Sequence, residues 1–142
     1  MTEVVIREAT LQDAIDVAGN AELGEKITCL TGYMTMSDRT YVGVIDNEIV
    51  CIWGVMRQSL LSDRGYLWLL TTEAAEEHKF LLIRYSQRII EGLLQRYRVL
   101  TGECAIGDSR ARKWMRFLGA EFSFPEGKTI PFQITGVRWQ TR

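Results

Sequence analysis

Residues 78–97, HKFLLIRYSQRIIEGLLQRY, constrain the fold more than any other stretch. Phe80, Ile83, Ile90, Leu94 and Tyr97 recur at helical spacing as one apolar stripe, and Arg84, Gln87, Arg88, Glu91 and Gln95 lie largely off it. A helix with one apolar face must bury that face against a second layer. The flanking segments supply it, since YLWLLTT (66–72) and RVLTGECAI (98–106) both read as strands. The first is nearly all apolar, the pattern of a central strand covered on both faces.

The segments before this unit form a meander. TYVGVID (40–46) and IVCIWGVMRQ (49–58) are strands joined by a turn at Asp46-Asn47-Glu48, and residues 66–72 make the third strand. Nearer the start, VVIREAT (4–10) begins as a strand, and Thr10 opens a helix-start signal. Leu11, Ile15 and Ala18 follow at helical spacing, with Asp13 and Asp16 near the N-terminal end. AELGEKITCLTGYM (21–34) is a second helix, loosened by Gly24 and Gly32. Beyond residue 106, GDSRARKWMRFLGAEF (107–122) predicts a helix capped by Asp108 or Ser109 and stopped by a left-handed Gly119. AEFSF (120–124) and FQITGVRWQ (132–140) are the last strands. The order β-α-α-β-β-β-α-β-α-β-β is an α/β (α+β) chain with a mixed sheet.

The 142 residues suit one domain, 1–142, with no linker or repeat inside it. A hydrophobic share of 46% and a charged share of 25% are ordinary for a soluble globular chain. The net charge of −1 leaves no electrostatic footprint for nucleic acid, and none is expected as a partner. Cys29, Cys51 and Cys104 are odd in number and widely spaced, so they read as reduced thiols of a cytoplasmic protein. The start, MTEVVIREAT, lacks the features of a signal peptide, and the run IVCIWGVM (49–56) is too short to span a membrane.

Single residues carry two readings each. His78 is the only histidine, which excludes a histidine-pair metal site, and no metal is expected. It reads either as a general base or ligand contact, or as a helix-start residue bonded to backbone. Cys104 reads as a nucleophile paired with His78, or as a small buried hydrophobe. Arg110, Arg112, Lys113 and Arg116 form a basic helix face that either grips phosphate or is simply solvated. Trp53, Trp68, Trp114 and Trp139 read as core or interface anchors, with Trp114, Phe117 and Leu118 on the side that packs on the sheet. The final FQITGVRWQTR offers a strand edge to a partner.

The element order resembles that of the GCN5-related N-acetyltransferase (GNAT) family from end to end. A narrower pattern, WLL-T … EEH-KF … R-YSQR-II-LL-RY-VL … D-S---W-RFLGAEF, resembles the GNAT-like proteins of tailed bacteriophages, a group that includes an internal virion protein of short-tailed coliphages. This narrower likeness covers residues 66–124. The family resemblance implies acetyl-CoA bound with its diphosphate on a glycine-bearing loop, where backbone N–H groups approach closely. The corresponding segment here, TTEAAEEH (71–78), has no glycine and carries Glu73, Glu76 and Glu77, which repel a diphosphate. The resemblance also implies an asparagine at the start of the last helix and a tyrosine acid four residues before its glycine. This chain has Asp108 and Met115 there, and methionine donates no proton. Tyr66, Tyr85 or Tyr97 could replace that acid only if the fold brought one near.

Two functional readings follow. In the first, the scaffold is kept and the cofactor site emptied. It makes the chain a non-enzymatic phage protein without cofactor, found in the host cytoplasm or the virion, self-associating or bound to other virion proteins. The alternative is an active N-acetyltransferase using acetyl-CoA on a protein amine. For that alternative the resemblance places the cofactor against Leu70, Thr71, Thr72, His78, Asp108, Arg110 and Arg112.

Overall fold

The computed structural model describes residues 2–19, 23–57, 59 and 61–135, with the backbone alone for 23–28. The elements are β1 (Val4–Glu8), α1 (Leu11–Ala18), α2 (Leu23–Met36), β2 (Ser37–Ile45), β3 (Glu48–Arg57), β4 (Arg64–Thr71), α3 (Ala74–Glu77), α4 (Lys79–Leu93), β5 (Val99–Ala105), α5 (Ser109–Phe117), β6 (Glu121–Phe122) and β7 (Thr129–Thr135). The seven strands follow the order β1-β2-β3-β4-β5-β7-β6 and are mostly antiparallel. The expected α/β (α+β) order stands, with the one-turn α3 added. The chain forms two compact units, Met1–Arg57 with Leu67–Phe80, and Gln58–Tyr66 with Leu81–Arg142.

In the first unit, β2 and β3 close on Asp46 and Asn47 alone, both in the left-handed region at φ 49° and 68°. Those angles suit a two-residue hairpin turn, and Asp and Asn tolerate them better than most side chains. Glu48, expected in the turn, is therefore the first residue of β3, opposite Ile45. Val42, Ile45, Val50, Cys51, Ile52, Trp53 and Val55 are the buried hydrophobic residues of this hairpin. Gly54 has a specific reason to be glycine. A Cβ there would lie 2.8 Å from the Trp68 indole, which is held by its Nε1–H donating to Ser37 Oγ at 2.7 Å.

Helix α1 starts at a capping box. The Thr10 hydroxyl accepts from the Asp13 N–H, and the Asp13 carboxylate accepts from the Thr10 N–H. Asp13 also takes a forked bond from Arg7, at 2.7 and 2.9 Å. Drawing Asp13 inward sets the phase of the helix. Ala14 and Ala18 are buried, while Leu11, expected on the apolar side, is 62% exposed.

In the second unit, β5 pairs in parallel with β4 from Arg64↔Val99 to Tyr66↔Thr101 and antiparallel with β7 along its whole length. Helix α4 ends at Leu93, and Tyr97 lies beyond it, 2% exposed. Helix α5 starts at Asp108, whose carboxylate accepts from the Ala111 N–H at 3.0 Å. It stops as expected at Gly119, with φ 99°. The Ala120 N–H reaches the Met115 carbonyl and the Gly119 N–H reaches that of Arg116, the paired bonds of a Schellman end. Met115 and Leu118 are buried, but Phe117 is half exposed. The Trp114 indole N–H donates to Ser86 Oγ on α4 at 3.0 Å. The expected last strand is described as far as Thr135; its remaining residues and Trp139 lie outside the described residues.

Candidate functional site

The segment after β4 is built by a threonine. Thr72 N–H donates to the Val50 carbonyl at 3.0 Å, and Thr72 Oγ1 donates to the Ile49 carbonyl at 2.6 Å. These two bonds fasten the segment to the start of β3. Ala74-Ala75-Glu76-Glu77 are good helix formers and close into the single turn of α3. The N–H groups of Ala75, Glu76 and His78 bond to the carbonyls of Thr72, Glu73 and Ala75. Those of Glu73 and Ala74 carry no backbone bond among the described residues.

His78 does not begin the long helix. It ends α3, half-buried, and Lys79 begins α4, so the expected helix 78–97 becomes two helices with His78 at the joint. Phe80, expected on the stripe, is 79% exposed in the first turn of α4, where Leu82 and Ile90 are the buried residues instead. The structure groups His78 with two carboxylates. Glu48, Glu77 and His78 each present one ligating atom, and these atoms lie within 4.8 Å of one another. Sequence reading missed Glu48, because its place depends on the tight Asp46-Asn47 turn rather than on any periodic signal.

Strand β4 passes through both units, and its C-terminal part differs from expectation. Leu67 and Trp68 are buried, but Leu70 and Thr71 are exposed, so the strand is not covered on both faces at this end. Its parallel ladder stops at Tyr66, leaving Leu67–Thr71 with β3 on one side and no ladder partner on the other among the described residues.

The second unit holds the other expected site residues. Asp108 is engaged as the cap of α5. Arg112 donates from Nη1 to the Ile106 carbonyl, which ties the loop ahead of α5. Arg110 and Lys113 are exposed, and the Arg116 guanidinium lies 5.5 Å from the Phe122 ring centroid. Met115 is a core residue, so the position expected for an acid belongs to the packing beneath α5. Tyr97 is buried as well, and Tyr85 carries the Arg88 guanidinium 5.7 Å from its ring centroid.

Cys104 is buried, and burial above all, with Asp108 adding to it and Arg112 opposing, pushes its thiol pKa up. That is the character of an inert thiol rather than a nucleophile. It belongs to the second unit and His78 to the first. No described helix is long and apolar enough to cross a membrane.

At the level of sequence, no family model and no curated protein matches this chain. Solved structures do. The spermidine N-acetyltransferase of Vibrio cholerae, in complex with CoA and spermine, matches with a TM-score of 0.71 at 9% identity, over 96% of this chain and 98% of its own. An aminoglycoside acetyltransferase in complex with coenzyme A matches with a TM-score of 0.70 at 12% identity, over 98% of each chain. A spermidine N-acetyltransferase SpeG chimera from Vibrio cholerae and hSSAT reaches 0.72 at 9% identity, over 98% and 99%.

These matches correct one expectation. The reading of a chain without cofactor is overturned, because proteins of this same fold are crystallised with coenzyme A. That expectation rests on the missing glycine and the three glutamates, without regard to the backbone donors. The segment that replaces the glycine loop is an ordered helical turn, and it still leaves N–H donors at Glu73 and Ala74. The chain has the GNAT fold, as the spermidine and aminoglycoside acetyltransferases do.

Proposed function

We propose that this chain binds acetyl-CoA and transfers the acetyl group to an amine. The observation that carries the proposal is the open edge of β4 at Leu67–Thr71. A row of unpaired N–H and C=O groups on extended backbone takes up an amide-bearing chain by strand-like pairing. The pantetheine arm of acetyl-CoA is such a chain, and exposed Leu70 gives it an apolar contact. Thr71 ends the strand, and the N–H groups of Glu73 and Ala74 are available to the diphosphate. Thr72, Asp108 and Arg112 act as structural ties. The CoA-bound relatives of the same fold support the reading.

The chemistry asked of the protein is modest. A neutral amine attacks the thioester carbonyl; the C–N bond forms, the C–S bond breaks and the thiolate leaves. The ammonium proton passes to solvent, and the thiolate, whose pKa of about 8.5 lies above neutrality, takes a proton from water rather than from buried Met115. Catalysis then rests on holding amine and thioester together. The spermidine and aminoglycoside acetyltransferases that share this fold lend no support to the virion-associated role implied by the phage resemblance.

Calorimetric titration with acetyl-CoA, with CoA as control, tests the proposal. Micromolar binding, followed by release of CoA thiol in the presence of spermidine or a lysine peptide, supports it. No heat and no shift in melting temperature sinks it.

A further inference from the structure

Glu48, Glu77 and His78 come from two separate stretches of the first unit, yet their backbones are held together by bonds that owe nothing to a ligand. The Asp46-Asn47 turn sets Glu48 at the start of β3. Thr72 bonds to the carbonyls of Ile49 and Val50, just after Glu48. The His78 N–H bonds to the Ala75 carbonyl and closes α3 beneath Glu77. The outcome is two carboxylates and one imidazole with ligating atoms within 4.8 Å.

Two carboxylates so placed repel one another, and the imidazole beside them offers a ring nitrogen as a further ligand. A divalent cation satisfies all three. One nitrogen and two oxygens suit borderline Zn²⁺, and also Mn²⁺, a harder ion that takes imidazole beside carboxylates, whereas Mg²⁺ prefers oxygen alone. Metal–ligand bonds of about 2.1 Å draw donor atoms somewhat closer than 4.8 Å. Side chains this exposed adjust by that much through rotamer changes. Three protein ligands leave at least one position open.

We propose that Glu48, Glu77 and His78 bind one divalent cation of the Zn²⁺/Mn²⁺ type, and that its open position takes a phosphate oxygen of acetyl-CoA. The cation half stands on the cluster alone; the phosphate half rests on the acyl-CoA reading. The cation turns an acidic, glycine-free segment into an anion site, which accounts for the carboxylates where a diphosphate is to be held.

The experiment uses the untagged full chain, stripped of metal by a chelator that is then removed. Titration with MnCl₂ is expected to show one equivalent bound, weakened at least tenfold in Glu77→Gln and in His78→Gln. Both variants are expected to melt like the parent chain without metal, since these side chains are exposed or half-buried. Cys29→Ser, at an exposed thiol, is expected to bind as the parent does. No binding at millimolar MnCl₂ or ZnCl₂, or binding unchanged in both variants, overturns the cation site. Acetyl-CoA is then titrated with and without saturating MnCl₂, and the ion is expected to tighten binding at least tenfold in the parent chain but not in His78→Gln. Equal affinity in both conditions overturns the phosphate half and leaves the acyl-CoA reading standing. Cation bound with acetyl-CoA bound in neither condition overturns the acyl-CoA reading and leaves the cation site.

Discussion

Replacing Asp13 by Asn removes a charge that the first unit has organised four bonds around. Asp13 is 4% exposed. It accepts from Arg7 Nη1 and Nη2 at 2.7 and 2.9 Å, from the Thr10 N–H at 2.7 Å and from the Thr10 hydroxyl at 3.0 Å. The Arg7 bonds above all, then those of Thr10, lower its pKa from 3.8 to about 2 against the opposing pull of burial. Each pKa unit corresponds to about 1.4 kcal/mol, so the charge stabilises the fold by about 2 kcal/mol at neutral pH. Asparagine also puts an NH₂ donor where the structure supplies only donors. Because the folded pKa is depressed, the contribution is complete above the unfolded value and fades as pH falls toward 2. Urea unfolding of the parent chain and Asp13→Asn is expected to differ by about 2 kcal/mol at pH 7, about 1 at pH 3 and under about 0.5 at pH 2. A difference that stays constant from pH 7 to pH 2 would refute the electrostatic account and leave only a packing or capping effect. Arg7 is 44% exposed, so added salt is expected to reduce the pH 7 difference.

Three further outcomes are expected. Gly54→Ala pushes a methyl to within 2.8 Å of an indole that its bond to Ser37 holds in place, and is expected to cost about 1–3 kcal/mol in urea unfolding; a neutral result would mean that Trp68 shifts freely. Gly119→Ala forces a side chain into φ 99° at the end of α5, with an expected loss of about 1–2 kcal/mol read as a lower melting temperature. A thiol reagent at pH 8 is expected to label Cys29 alone in the folded protein and all three cysteines in urea. Cys51 and Cys104 are buried, and burial pushes the Cys51 thiol up to about 11; rapid reaction of two or more thiols in the native state counts against this packing.

Local chemistry was legible from residues alone. Thr10 and Asp13 begin α1, Asp108 begins α5 and Gly119 ends it, because capping is decided within a few residues. The alternation of strands and helices could be read for the same reason, since its periods belong to each segment. The phase of the helices was harder. Leu11 and Phe80 fit an apolar spacing but are exposed, because Asp13 turns α1 by its bond to Arg7 and because α4 starts only after the joint at His78. The candidate cofactor residues divided in the same way: Leu70 and Thr71 stand on an open strand edge, while Thr72, Asp108 and Arg112 hold the backbone together.

The sequence by itself determined the order of the elements, the caps and the acidic character of residues 71–78, all of which arise from neighbours in the chain. Only the tertiary structure decided that β4 outruns its parallel partner at Tyr66 and that Glu48 meets Glu77 and His78. Both depend on strand register and on bonds between segments far apart in sequence, which no local pattern encodes.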